Sequence, residues 1–183
     1  MDKNLNSEIY GGWRFSASCA IVGLLHLIKE DWVGVEIGVW TGDSSHLLLK
    51  KCKHMYFIDP FCTYSEYSDN DVVGDDGDQL ATNFIDKMKH TKKGAFTFFR
   101  QFSSDAVDKI PEVDFVFIDG NHAYEYVKND ILNYWPKVKT GGFLGGHDYI
   151  EGHKEVRRAV DEFVENQNLT LHAMEDCWYV EKL

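Results

Sequence analysis

Short apolar runs typical of β-strands alternate with helix-like segments along most of this chain, and this alternation constrains the fold more than any other feature. Strands are predicted at residues 33–38, 54–59, 95–100, 113–118, 142–147, 169–174 and 176–182. Helices are predicted at residues 14–30, 43–52, 78–90, 103–110, 122–138 and 153–167. This order favours βαβ crossovers, and therefore a mainly parallel sheet that is covered by helices on both faces.

The last two predicted strands are separated by little more than Glu175. A parallel crossover needs a dozen or more residues, so these strands are expected to pair as an antiparallel hairpin. The predicted fold class is therefore α/β: a doubly wound, mainly parallel seven-stranded sheet with a C-terminal antiparallel hairpin.

Size and charge set limits on the organisation and the partners of the chain. A length of 183 residues predicts a single domain, residues 1–183, with a helical segment at 1–30. The polar, acidic stretch at 63–77 is a possible lid loop of that domain. A net charge of −11 argues against non-specific binding to nucleic acid and against an anionic membrane surface.

The same sequence predicts a cytoplasmic protein with no membrane association. The N-terminal residues lack the basic and apolar regions of a secretory signal. The longest apolar stretch, residues 17–28, is too short to cross a bilayer. The four cysteines include no CxxC pair, which argues against a structural zinc site and favours reduced thiols.

The first candidate ligand-binding motif joins residues 33–42 to Asp59. A strand-like run breaks at Gly38 and Gly42, and glycines let the backbone approach a ligand closely. The next apolar run ends in Asp59, whose carboxylate can accept hydrogen bonds from both hydroxyls of a ribose. The GxxxG spacing disfavours the GxGxxG dinucleotide site, and no P-loop lysine follows. The motif therefore predicts a nucleoside-binding half-site.

Glu36 lies inside the first apolar strand, where a buried carboxylate is costly unless it is paired. One interpretation is an ion pair with a core arginine or lysine. The other is that Glu36 helps to hold a polar, cationic ligand. We favour the ligand, because Asp59 lies at the end of the adjacent strand.

Two later strands also end in polar side chains. Asp119 follows one of these strands, and His147 and Asp148 follow the next. Ligands of open α/β sheets bind at the carboxyl ends of the strands, so these side chains should meet Asp59 in one crevice. Two carboxylates and an imidazole suit Mg²⁺ or Mn²⁺. The alternatives are that Asp119 caps the following helix and that Asp148 stabilises a turn.

His122 is the candidate general base. It lies three residues beyond Asp119 and in the first turn of the predicted helix, so its side chain is able to face the crevice. An imidazole titrates near neutral pH, as a general base requires. His153 also falls near a strand end, but a lone histidine is more often a surface or core residue than a catalyst.

The motifs together resemble the class I S-adenosylmethionine-dependent methyltransferases, a Rossmann-like fold. The resemblance rests on the segments Glu36-Ile37-Gly38-x-x-x-Gly42, Asp59, Phe117-Ile118-Asp119-Gly120-Asn121-His122-Ala123-Tyr124 and Gly141-Gly142-Phe143-Leu144-Gly145-Gly146-His147-Asp148-Tyr149. It covers roughly residues 20 to 165 and is strongest for the macrocin-type and catechol-type O-methyltransferases, a metal-dependent branch.

This resemblance implies roles for individual residues. Glu36 and Gly38 would border the methionine part of the cofactor, and Asp59 would bind its ribose. Ser103 and Ser104 match the segment that flanks the adenine. The remaining assignments are Trp40, Thr41 and Gly42 to the loop beneath the cofactor, Asp119 to the cofactor or a metal, and Asp148 to the metal, with His147 in place of an acidic or amide ligand.

The predicted function is transfer of a methyl group from S-adenosylmethionine to a hydroxyl of a small molecule, with a sugar as one candidate acceptor and Mg²⁺ or Mn²⁺ assisting. Two alternatives stay open. In the first alternative, the chain is a non-catalytic module that binds S-adenosylmethionine for regulation or assembly. In the second, it is a nucleotide-dependent oxidoreductase. The sequence also leaves open whether the chain forms a homo-oligomer.

Overall fold

One seven-stranded sheet organises the computed structural model, which describes residues 20–62, 76–91 and 94–183. Its strands are β1 (Val33–Ile37), β2 (His54–Ile58), β3 (Ala95–Phe99), β4 (Val113–Ile118), β5 (Val138–Gly146), β6 (His172–Met174) and β7 (Cys177–Glu181). The strand order is β3-β2-β1-β4-β5-β7-β6. Strands β1 to β5 pair in parallel, while β7 is antiparallel to both β5 and β6. The predicted fold class is confirmed, including the terminal hairpin.

Helices connect these strands. They are α1 (Asp43–Lys51), α2 (Gly77–Lys89), α3 (Ser103–Ala106), α4 (Tyr124–Tyr134) and α5 (Lys154–Gln167). Short 3₁₀ helices occupy Ala20–Leu27, Val107–Lys109 and Trp135–Lys137. None of the helices in the described ranges is long and apolar enough to cross a membrane.

Several predicted boundaries are wrong. The described part of the predicted helix 14–30 is a 3₁₀ helix that ends at Leu27. Strand β5 begins at Val138 instead of residue 142, because Pro136 ends the preceding helix early and the chain turns into the sheet at once. The predicted lid at 63–77 lies outside the described residues, except for its last two, and Gly77 opens α2.

Two apolar layers cover the sheet, one on each face. Side chains alternate along a strand, so Val116 and Ile118 of β4 pack under α4 and α5, while Phe115 and Phe117 pack on the other side with α1 and α2. Glu36 pairs in register with Phe57 and Phe117. Its side chain therefore points into the second layer, beneath the start of α1.

Candidate active site

The carboxyl ends of the parallel strands form one acidic edge. Asp59 follows β2, Asp119 follows β4, and His147 with Asp148 follow β5. Strand β1 lies between β2 and β4 in the sheet, so Asp59 and Asp119 flank its end. The structure therefore brings together the predicted side chains of three strands at the same edge.

Glu36 is fully buried and is held by hydroxyl groups. Ser44 donates a hydrogen bond to one carboxyl oxygen, and Ser45 donates to the other at 2.5 Å. Burial raises the pKa of Glu36 to about 8, although the two serine hydroxyls oppose this rise. Among the described residues no arginine or lysine forms an ion pair with it, and its hydrogen-bond partners are the two serines. The cofactor role of Glu36 stays a prediction.

The loop between β1 and α1 is shaped by positive φ angles, at Gly38 (81°), Trp40 (40°) and Gly42 (75°). A Cβ atom on Gly38 would lie 2.1 Å from the carbonyl oxygen of Asp119. Only glycine therefore allows the end of β1 to lie this close to the end of β4.

Asp59 holds this loop from the neighbouring strand. One carboxylate oxygen accepts hydrogen bonds from the backbone amides of Val39 (3.0 Å) and Trp40 (3.2 Å). The other accepts one from the amide of Phe61 at 2.8 Å. Each carboxylate oxygen can accept more than one hydrogen bond, so ribose binding by Asp59 stays a prediction beside this structural role.

The remaining loop residues differ in exposure. The side chain of Trp40 is 57% exposed at the edge. The Thr41 hydroxyl instead donates to Asp43 at 3.2 Å, and its carbonyl oxygen accepts from Lys87 at 3.0 Å. Trp40 and Thr41 are thus both exposed, whereas Gly42 is buried.

The segment predicted to flank adenine opens α3. The hydroxyl of Ser103 donates to Asp130, and the Ser103 carbonyl oxygen accepts from Tyr134 at 2.8 Å. Ser103 therefore ties α3 to α4 through its side chain, which leaves Ser104 and the exposed Phe102 as the side chains of this segment that face solvent. An adenine contact by Ser103 would use its backbone.

Asp119, His147 and Asp148 form a compact cluster, in which one donor atom from each residue lies within 4.8 Å of the others. Nδ1 of His147 lies 3.1 Å from Asp148 and 3.5 Å from Asp119. Burial alone would lower the pKa of His147, but hydrogen bonds with the two carboxylates raise it to about 10. Burial would raise the pKa of Asp148, but hydrogen bonds with His122 and His147 hold it well below its usual range.

His122 reaches the same cluster from the loop before α4. Helix α4 begins at Tyr124, so His122 precedes the helix and the predicted placement in its first turn is wrong. The side-chain oxygen of Asn121 accepts from the amide of Ala123 at 2.8 Å, and this turn delays the helix. The N-cap of α4 is Ala123, so the alternative that Asp119 caps this helix is wrong. Nε2 of His122 lies 2.8 Å from Asp148.

His153 is a member of the cluster that sequence reasoning did not assign. It caps α5, and its Nε2 lies 3.5 Å from Asp148. Its ring lies edge-on to that of His122, with centroids 4.6 Å apart. The position of His153 after a strand end was the only signal, because the turn that returns it to Asp148 depends on a positive φ angle at Asp148 itself (59°).

A small pocket opens at the cluster. Its lining includes Asp119, Gly120, His122, His147 and Asp148. Trp178, which is buried in β7, also lines it. The lining combines these polar side chains with the apolar side chains of Ile118, Val127 and Val156.

The side chains at this edge fit the cofactor and the divalent cation that the sequence predicts. Carboxylates on both sides of the β1 loop suit a ligand with a cationic centre and ribose hydroxyls. The two carboxylates and the imidazole of Asp119, His147 and Asp148 suit a divalent cation.

Comparison with known proteins gives the family. A family model described as a methyltransferase domain matches residues 35–149. The uncharacterized protein R132 of Acanthamoeba polyphaga mimivirus is 30% identical over 130 residues, which are 66% of this chain and 53% of that protein. The chain thus spans about half the length of this curated relative.

Solved structures have the same fold. The O-methyltransferase NovP superposes with a TM-score of 0.62 at 18% identity, over 89% of this chain and 75% of NovP. The O-methyltransferase of Bacillus cereus, solved with SAH, gives 0.61 at 14% identity, over 87% of this chain and 78% of that enzyme. The matched segment contains Glu36, Asp59, Asp119 and Asp148, and the chain belongs to this methyltransferase-domain family.

Proposed function

We propose that this chain transfers the methyl group of S-adenosylmethionine to a hydroxyl of a small molecule, such as a sugar, with the help of a divalent cation. One observation carries the proposal: the side chains after β2, β4 and β5 converge at a single edge of the sheet. This edge combines a cofactor half-site with a metal-binding donor set.

On the cofactor side, Asp59 and Asp119 flank the end of β1 and supply negative charge. Bound S-adenosylmethionine supplies an electrophilic methyl group on a sulfonium. Glu36 fixes the start of α1 through Ser44 and Ser45, and Gly38 lets the loop pass close to Asp119. These contacts position the cofactor so that acceptor oxygen, methyl carbon and sulfur lie in line.

On the acceptor side, Asp119, His147 and Asp148 would hold Mg²⁺ or Mn²⁺. A divalent cation there would favour deprotonation of an acceptor hydroxyl. Two adjacent hydroxyls give a cation two oxygen ligands, which is why a sugar or a catechol-like phenol suits this cluster.

The proton of the acceptor requires a base. His122 is oriented by Asp148 at 2.8 Å and lines the same pocket. We assign to His122 the acceptance of this proton, because an imidazole titrates in the range in which such transfers are efficient.

The test is methyl transfer to a panel of sugars and catechols, alongside calorimetric titration with S-adenosylmethionine and SAH, in Mg²⁺, Mn²⁺ and chelator. Asp148→Asn should keep cofactor affinity and lose most turnover, while Asp105→Asn, an exposed change on α3, should behave like wild type.

Two results would contradict parts of the proposal. Full turnover of Asp148→Asn in chelator would remove the metal from the mechanism. Tight cofactor binding without turnover on any acceptor would favour the non-catalytic binding module.

A further inference from the structure

We propose that His122, Asp148 and His153 form a second cation-binding subsite, which shares Asp148 with the cluster of Asp119 and His147 and prefers a nitrogen-binding transition metal such as Zn²⁺ to Mg²⁺. One donor atom from each of these three residues lies within 4.8 Å of the others. This subsite is distinct in composition, since it contains two imidazoles and one carboxylate.

The distances suit a small metal ion. Nε2 of His122 lies 2.8 Å from Oδ2 of Asp148, and Nε2 of His153 lies 3.5 Å from Oδ1. Ligand atoms of a tetrahedral Zn²⁺ with bonds of about 2.1 Å lie roughly 3.4 Å apart. The separation at His153 is close to this value, whereas that at His122 is shorter, so His122 and Asp148 would move apart to admit a cation.

The choice of metal follows from the donor atoms. Imidazole nitrogen suits Zn²⁺ and other late transition ions, whereas Mg²⁺ prefers oxygen ligands in a near-ideal octahedron. Three protein ligands leave a position for water, as in catalytic zinc sites. An occupied subsite would remove His122 from its proposed role as the base of methyl transfer.

The backbone presents these donors in a fixed arrangement. Asp148 has a φ angle of 59°, and its carbonyl oxygen accepts from the amide of Ile150 at 2.8 Å. The amide of His153 then donates to Ile150 at 3.1 Å, and the carbonyl oxygen of His153 accepts from Arg157 in α5 at 3.2 Å. This turn returns His153 to Asp148, and strained backbone of this kind is concentrated at functional sites.

Asp148 has the geometry to serve both subsites. Its Oδ2 faces His122 and His147, at 2.8 and 3.1 Å, whereas its Oδ1 faces His153. His153 lies beyond residues 35–149, the segment that the family model matches. The subsite is thus a property of this chain that the family match does not supply.

The experiment is a Zn²⁺ titration of the full chain against a chromophoric chelator, with no methyl donor or acceptor present. Wild type should bind Zn²⁺ with an affinity that millimolar Mg²⁺ does not reduce. His153→Ala and His153→Gln should weaken this binding at least tenfold, while Asp119→Asn should change it less than threefold. His90→Ala, which removes an exposed histidine at the C-terminal end of α2, is the matched control and should bind like wild type.

Cobalt gives an independent readout. Co²⁺ bound to wild type should show the visible absorption of a low-coordinate site with nitrogen ligands, and both His153 variants should lose it. Melting curves in chelator should be the same for wild type and the variants, which separates metal loss from misfolding.

Three outcomes would overturn the subsite: Zn²⁺ affinity unchanged in both His153 variants, displacement of Zn²⁺ by Mg²⁺, or an equal loss in His90→Ala. Because no turnover is measured, these outcomes bear on the subsite and leave the proposed methyl transfer to its own test.

Discussion

Glu36 is a carboxyl group buried from solvent, and two serine hydroxyls donate hydrogen bonds to it. Both serines come from the start of α1, so the carboxyl joins the first strand to the first helix beneath the loop between β1 and α1. Neighbouring Asp59 and Asp119 add to its raised pKa after burial. At neutral pH the group is therefore protonated in the folded chain.

This protonation predicts a pH-dependent stability. The folded chain keeps the Glu36 proton up to about pH 8, whereas the unfolded carboxyl loses it near pH 4.5. Folded protein thus binds more protons between these values, and the free energy of unfolding falls as pH rises through this window. In Glu36→Gln, the free energy of unfolding should fall by on the order of 3 kcal/mol less over this window, because one pKa unit corresponds to about 1.4 kcal/mol.

Chemical denaturation between pH 5 and 8.5 measures the effect, as the difference between wild type and Glu36→Gln. Glu112→Gln, at an exposed position, should leave the slope unchanged. Parallel curves for wild type and Glu36→Gln would show that the buried carboxyl does not titrate in this range.

Two substitutions of Asp59 should differ in how far they lower the affinity for SAH. Asp59→Ala removes the hydrogen bonds to the loop amides as well as the proposed ribose contacts, so SAH affinity should fall by about 2–3 kcal/mol. Asp59→Asn keeps an oxygen that accepts from Val39 and Trp40, and its loss should be smaller. Calorimetry measures both, and wild-type affinity in Asp59→Ala would remove the ribose assignment.

The loop between β1 and α1 has a backbone that is constrained by a close contact. Gly38 and Gly141 have nearly the same φ angle, 81° and 83°. A Cβ atom at Gly38 would collide with the backbone of Asp119, whereas one at Gly141 would meet nothing within 4 Å.

The two glycines therefore form a matched pair. Gly141→Ala should lower the free energy of unfolding by about 1 kcal/mol, from backbone strain alone. Gly38→Ala should lower it by at least about 3 kcal/mol and weaken SAH binding, because β1 and β4 must separate. Thermal melts with and without SAH measure both, and equal losses in the two variants would contradict the close approach.

Elements with a strong pattern could be predicted from the sequence, and those set by tertiary contacts could not. The apolar run that ends at Ile58 gave its strand within one residue. The start of α4 was placed two residues early, because the Asn121 turn depends on a single side-chain hydrogen bond. The link between Ser103 and Asp130 joins residues 27 positions apart, a contact without a local signature.

The candidate site likewise has some features that could be predicted from the sequence and others that depend on tertiary contacts. Parallel strands place their carboxyl ends together, so the meeting of Asp119 with His147 and Asp148 followed from the topology. The serines that hold Glu36 depend on how α1 packs on the sheet. His153 depends on the turn after Asp148. Neither arrangement leaves a spacing that can be recognised in one sequence.

At the scale of the whole molecule, the charge of −11 and the acidic edge act together on ligands. S-adenosylmethionine carries one more positive charge than SAH, at the sulfur. In chelator, the ratio of their affinities should favour S-adenosylmethionine in about 10 mM salt and fall two- to threefold by about 0.5 M, as salt shortens the screening length. Calorimetry of both ligands across this range measures the ratio, and a ratio independent of salt would show that the edge exerts no long-range attraction.

The terminal hairpin lies beneath this edge. The buried indole of Trp178 abuts Gly146, where a Cβ atom would come within 2.9 Å of its Nε1. The carbonyl oxygen of Asp176 also accepts from the amide of Tyr149 at 3.0 Å. Asp176 and Trp178 of the hairpin thus support the chain on both sides of His147 and Asp148. We therefore expect substitutions at Trp178 to change the shape of the pocket while the charged side chains of the edge stay in place.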